Sequence, residues 1–126
     1  MASRAFLFKW GPVLIYMAVI FFVSSLEQPP LPAGVSDKPA HAFGYFGLGM
    51  VIARALAGGL PPRITLRQAL LGLVLASLYG VTDEVHQHFV PGRTADIADW
   101  YSDSIGSALG LFGCWAWSII FARRGF

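Results

Sequence analysis

The sequence predicts an all-α membrane protein, a bundle of four antiparallel transmembrane helices with both termini cytoplasmic. Three observations predict it. The chain of 126 residues is 56% hydrophobic and only 13% charged, about half the roughly 25% charge of a soluble domain. Four apolar segments approach the ~20 residues that a helix needs to cross a bilayer, and turn-rich stretches separate them. Seven of the nine basic residues fall on one side of the alternation those segments impose, the bias that marks the cytoplasmic side. The length suits a single domain over residues 1–126.

The first span runs from about Trp10 to Leu26. Arg4 and Lys9 ahead of it would also suit a secretory signal peptide, but the apolar run exceeds the roughly 7 to 15 residues of such peptides, so it is read as a span. QPPLPAG at 28–34 ends it. The second span runs from Pro39 to Leu60, with Ser36 or Asp37 as N-cap and Pro39 in the first turn, where its missing N–H does no harm. GGLPPR at 58–63 leads to the third span, Leu66 to Val85, and VPGR at 90–93 leads to the last, Ile97 to Phe121. Connections this short imply antiparallel neighbours. Gly72, Ala76 and Gly80 in the third span, and Ser102, Gly106, Gly110 and Cys114 in the fourth, recur every four residues. That spacing lets helix backbones approach closely in lipid, so these are packing residues and not a phosphate cradle.

The charges divide by side. Arg4, Lys9, Arg54, Arg63, Arg67, Arg123 and Arg124 share the cytoplasmic side, leaving Lys38 and Arg93 outside. Acids take no part in that rule, yet Glu27, Asp37, Asp83, Glu84, Asp96, Asp99 and Asp103 all lie on the outer side or in the outer half of a span. The basic residues form no patch interleaved with exposed aromatics, which excludes nucleic acid as a partner. Cys114 is the sole cysteine and forms no intrachain disulfide.

An ionisable group inside a membrane is costly and marks function by default. The topology brings the start of span two, the end of span three and the start of span four to one face. Residues three or four apart share a side of a helix, which groups Asp37, His41 and Tyr45; Asp83, His86 and Gln87; Glu84 and His88; and Asp96, Asp99 and Asp103. Asp103 lies two turns inside the apolar stretch and should face the bundle. Carboxylates and imidazoles held close can transfer protons, with His41 or His86 as base and Asp83, Glu84 and Asp99 as acids. A solvated, interfacial place for Glu84 is the competing reading. His41, His86, Asp83 and Asp99 could also hold a divalent metal, although their spacing matches no zincin motif. Arg93 could grip a phosphate or carboxylate, or tie its loop to Asp96 or Asp99.

DKPAHAFGYFGLG at 37–49, YGVTDEVHQHFVPGR at 79–93 and DWYSDSIGSALG at 99–110 resemble the three signature blocks of the VanZ-like family of small bacterial membrane proteins. The resemblance covers the chain from the first span through the fourth. It implies a protein of the bacterial cytoplasmic membrane, in a family whose founding member is associated with teicoplanin resistance. The family's polar signature falls on Asp37, Lys38, His41, Tyr45, Asp83, Glu84, Gln87, Arg93 and Asp99. One position departs from the pattern: Asp103 stands where an asparagine is expected, which favours proton or metal binding over a neutral hydrogen-bonding role.

The expected function is therefore to bind or modify an envelope lipid, a lipid-linked cell-wall precursor or a glycopeptide. Asp37, Lys38, Tyr45, Gln87, Arg93 and Asp103 would bind it, and His41, Asp83, Glu84, His86 and Asp99 would act on it. Two other classes compete. One is a module that binds or regulates without reacting; the other is an ion-coupled transporter, which four spans suit poorly.

Overall fold

The computed structural model describes residues 2–25, 38–91 and 97–123. They form four helices: α1 (Ala2–Ser24), α2 (Lys38–Ala57), α3 (Leu66–His88) and α4 (Ile97–Arg123). Three stretches, Arg4–Ser24, Lys38–Ala57 and Ile97–Phe121, are long and apolar enough to cross a membrane. At 23 residues α3 is long enough, about 34 Å at 1.5 Å per residue. It is too polar to join them because Asp83, Glu84, His86, Gln87 and His88 crowd its last turns.

The cross-helix contacts fix the directions. Phe8 of α1 meets Arg54 of α2, and Tyr16 meets Gly44, so α2 returns along α1. Tyr79 and Asp83 of α3 bond to Met17 and Ser24 of α1, and His41 of α2 bonds to Asp103 of α4. Each helix thus runs opposite to the one before it. α2 packs against all three others, whereas α1 and α4 do not meet among the described residues. The core is apolar and centred on α2, with Leu48, Ile52, Ala53, Ala69, Ala76 and Leu111 all fully buried.

Glycines set how close α2 and α4 lie. A Cβ on Gly106 would collide with the Ala42 carbonyl, one on Gly110 would stand 2.5 Å from Phe46 O, and one on Gly49 2.6 Å from Ser107 O. Backbone therefore touches backbone along this seam, the close approach that small residues permit in lipid. Of the stripe in α3, Gly72 packs on Leu111 and Ile52, and Gly80 packs on Trp100 and Asp103. The outward faces carry large apolar side chains such as Ile15, Phe22, Phe43, Leu78 and Ile105. So much exposed apolar surface marks contact with an apolar environment.

Most helix ends shift from the spans read in the sequence, three of them by three residues or more. α1 starts at Ala2, not near Trp10, since no helix breaker precedes that residue. α2 stops at Ala57, not Leu60, because Gly58 and Gly59 take positive φ of 83° and 147° and close the helix end, Gly59 N–H donating to Arg54 O at 3.0 Å. Such αL glycines are a common helix stop, which gives the Gly-Gly pair its purpose. α3 continues to His88 and caps at Phe89.

Candidate functional site

At one end of the bundle the end of α1, the start of α2, the end of α3 and the start of α4 meet. Four polar or acidic side chains there are almost wholly removed from solvent: Asp83 is 3% exposed, Gln87 1%, Asp99 3% and Asp103 0%. Helical geometry distributes them. Asp83 and Gln87, four residues apart, face α1 and α2. Glu84, one step of about 100° further round and four residues beyond Gly80, faces α4. The missing side chain at Gly80 leaves room for Asp103, whose Oδ2 would stand 3.4 Å from a Cβ there.

Two groups of contacts result. In the first, Asp83 accepts from the Ser24 hydroxyl and from Tyr45 OH, the latter at 2.9 Å. Gln87 Nε2 donates to Ser24 Oγ at 3.4 Å. In the second, His41 Nδ1 lies 2.7 Å from Asp103 Oδ1 and 3.9 Å from Glu84 Oε1. The Glu84 and Asp103 carboxyls are within hydrogen-bonding reach of each other. Apart from that carboxyl–carboxyl contact, no donor reaches either oxygen of Glu84, Oδ2 of Asp103 or Oε1 of Gln87, all buried. Native interiors rarely leave buried acceptors in that state, so this half of the cluster is chemically incomplete.

Lys38 Nζ lies 3.6 Å from Asp99 Oδ1 at the rim, where the lysine is half exposed. His86 stands apart from the cluster: it stacks on Phe21 at 4.0 Å between ring centroids, and its Nε2 lies 2.9 Å from Ser25 Oγ. It shares a face with Asp83, as the spacing required, but that edge of the face meets α1. Asp37, Arg93 and Asp96 lie outside the described residues. Glu84 is not solvated, since its side chain is only 12% exposed.

Ser24 belongs to the site although no sequence signal singled it out, because a serine at the end of an apolar run is unremarkable until its partner is known. A metal could be held by His41, Asp83, Glu84 and Asp103, each of which brings one donor atom within 4.8 Å of the others. This set replaces His86 and Asp99 of the sequence reading with Glu84 and Asp103. An open groove between α3 and α4, lined by Leu73, Val74, Leu78, Val81, Trp100 and Ile105 among others, carries no acid, base or histidine and is part of the apolar exterior.

Chemically the cluster combines an imidazole oriented by a carboxylate, two further carboxylates and a tyrosine hydroxyl, a set able to bind a cation or move a proton. No curated protein and no solved structure matches the chain significantly. The sequence profile described as VanZ/LLP1 matches residues 10–121. That range holds every side chain of the cluster, and the chain belongs to the VanZ/LLP1 family.

Proposed function

We propose that this membrane protein crosses the bacterial cytoplasmic membrane four times with both termini inside, and that its outer face binds the polar headgroup of a cell-envelope lipid or lipid-linked peptidoglycan precursor and modifies it by acid–base chemistry. The observation that carries the reading is the convergence of His41, Asp83, Glu84 and Asp103 from three helices. An ionisable group within a membrane-spanning helix is costly, and three carboxylates in one place are retained only where they are used. The orientation rests on the basic residues, which gather at the opposite end. The His41–Asp103 pair supplies the base: the carboxylate fixes the ring and stabilises it once it has taken a proton. Lys38 at the rim offers a cation to an anionic headgroup. Reduced sensitivity to teicoplanin is the phenotype this reading connects to, through the family's founding member.

Two measurements test it. Protein purified with its native lipids should retain an envelope lipid identifiable by mass spectrometry, and Asp103→Asn should lose it while keeping its helical content. Retention of the same lipids by both proteins removes the site from the function. For orientation, Phe89→Cys and Leu60→Cys, each at a side chain 76% exposed, are compared in a Cys114→Ala background. A membrane-impermeant thiol reagent applied outside should label only Phe89→Cys, and labelling of Leu60→Cys alone inverts the topology.

A further inference from the structure

We infer that His41, Asp83, Glu84 and Asp103 form a binding site for one first-row divalent cation of the Mn²⁺, Fe²⁺ or Zn²⁺ class. Two independent observations support this. The first is spacing: the four donor atoms lie within 4.8 Å of one another. Ions that bind nitrogen and oxygen at about 2.0–2.2 Å place neighbouring donors about 3 Å apart and opposite donors about 4 Å apart. Donors no more than 4.8 Å apart lie close to that geometry.

The second is the unmet valence of the site. Asp103 is wholly buried, its Oδ2 has no hydrogen-bond partner, and both Glu84 oxygens are buried in the same condition. These atoms lie together, acceptor beside acceptor, next to the His41 ring. A cation resolves such an arrangement. Asp83 lacks this deficit, because Ser24 and Tyr45 already hold it. Hydroxyls placed behind a carboxylate in this way orient it and are what metal-binding carboxylates commonly have.

The ligand types narrow the ion. One imidazole with three carboxylates and no thiolate suits Mn²⁺, Fe²⁺ or Zn²⁺ better than copper(I), which favours sulfur, or Ca²⁺, which favours oxygen alone. The consequence for function rests on the headgroup-binding part of the reading given above, since a ligating His41 no longer offers the lone pair of a base: three carboxylates repel a phosphate-bearing headgroup, and a divalent ion between them offsets two of their three charges.

The test uses the full chain in lipid nanodiscs, stripped with chelator and titrated by equilibrium dialysis with Mn²⁺, Fe²⁺ and Zn²⁺ in turn. The expected result is about one ion per chain and a thermal midpoint that rises with metal concentration, as binding to the folded state requires. Asp103→Asn and Glu84→Gln should each lower the affinity at least tenfold and abolish the rise. If Asp103→Asn fails to fold, Glu84→Gln decides, because the amide keeps the shape of Glu84 and its contact with Asp103 while removing the charge that holds a cation. Substitution with Co²⁺ should give visible d–d absorption that shifts in His41→Gln. A folded wild-type chain that binds none of the three ions better than Glu84→Gln overturns the inference, and the carboxylate pair then holds a proton. Metal-free protein that still retains its lipid removes the ion from headgroup binding and spares the reading given above; loaded protein that binds no lipid keeps the cation site and overturns that reading.

Discussion

The two ends of this bundle use polar side chains in opposite ways. At the end where Arg54, Thr65 and Gln68 lie, polar side chains bond to backbone groups that no helical partner satisfies. Arg54 Nη1 donates to Phe8 O at 2.8 Å, Gln68 Nε2 to Leu56 O at 3.1 Å, and Ser118 Oγ accepts from Ile64 N–H at 2.8 Å. Thr65 and Gln68 complete a reciprocal capping box at the start of α3. At the other end, side chains bond chiefly to side chains on other helices, and Glu84, Gln87 and Asp103 keep buried acceptors unmatched. The first end closes its hydrogen bonds and stabilises the helices. The second leaves some open, which costs stability and leaves capacity for a ligand.

The glycine seam between α2 and α4 connects the ends, and breaking it gives the largest effect. Gly106 lies three residues from Asp103 and abuts Ala42, the neighbour of His41, so a methyl there separates the helices where the His41–Asp103 bond must form. Gly106→Ala should lower stability by about 3 kcal/mol, at the upper end of overpacking costs, and should reduce lipid retention with it. Gly113→Ala is the control, since a Cβ at Gly113 meets nothing within 4 Å. Thermal unfolding of both in detergent decides the matter. Equal midpoints would mean that α2 and α4 do not touch at Gly106.

A smaller change sharpens the contrast. Glu84→Gln puts an amide donor where two acceptors now face each other, so in chelator-treated protein it should raise stability by about 1 kcal/mol, the scale of one net hydrogen bond. Gln68→Ala at the other end should instead lower it. If Glu84→Gln destabilised metal-free protein, the acceptors at the polar end would already be matched.

How far the sequence shows this division depends on the kind of signal. Helix number, order and direction follow from apolar length and Pro-Gly punctuation, because burial of backbone in lipid leaves few alternatives. The depth of Asp103 in an apolar run shows that it faces inward, as the structure has it. Which acids converge is not legible, because Asp83 and Glu84 differ by only one residue yet point to different helices. That choice depends on the rotation of α3, and the rotation depends on Gly72 and Gly80 meeting Leu111 and Asp103. The pairing of His86 with Asp83 on one face is correct as periodicity, but that edge of the face turns to Phe21 and Ser25. Ser24 cannot be found without Asp83 beside it.

The smallest effect tests the closed end. Pro12 lies inside α1 and has no N–H, so the Phe8 carbonyl one turn earlier loses its helical donor. Arg54 supplies the substitute, with Nη1 2.8 Å from Phe8 O and the guanidinium 4.6 Å from the Phe8 ring centroid. The residue that contributes to the one-sided bias of basic charge thus also repairs a break in a neighbouring helix. Arg54→Met should cost about 1 kcal/mol, as for one partly exposed hydrogen bond. In a Pro12→Ala background Phe8 O regains its own helical donor, so the same substitution should cost markedly less there. A double-mutant cycle on thermal or denaturant unfolding measures the difference. If Arg54→Met cost the same in both backgrounds, the guanidinium would be stabilising α1 by its contact with the Phe8 ring and not by repairing the helix.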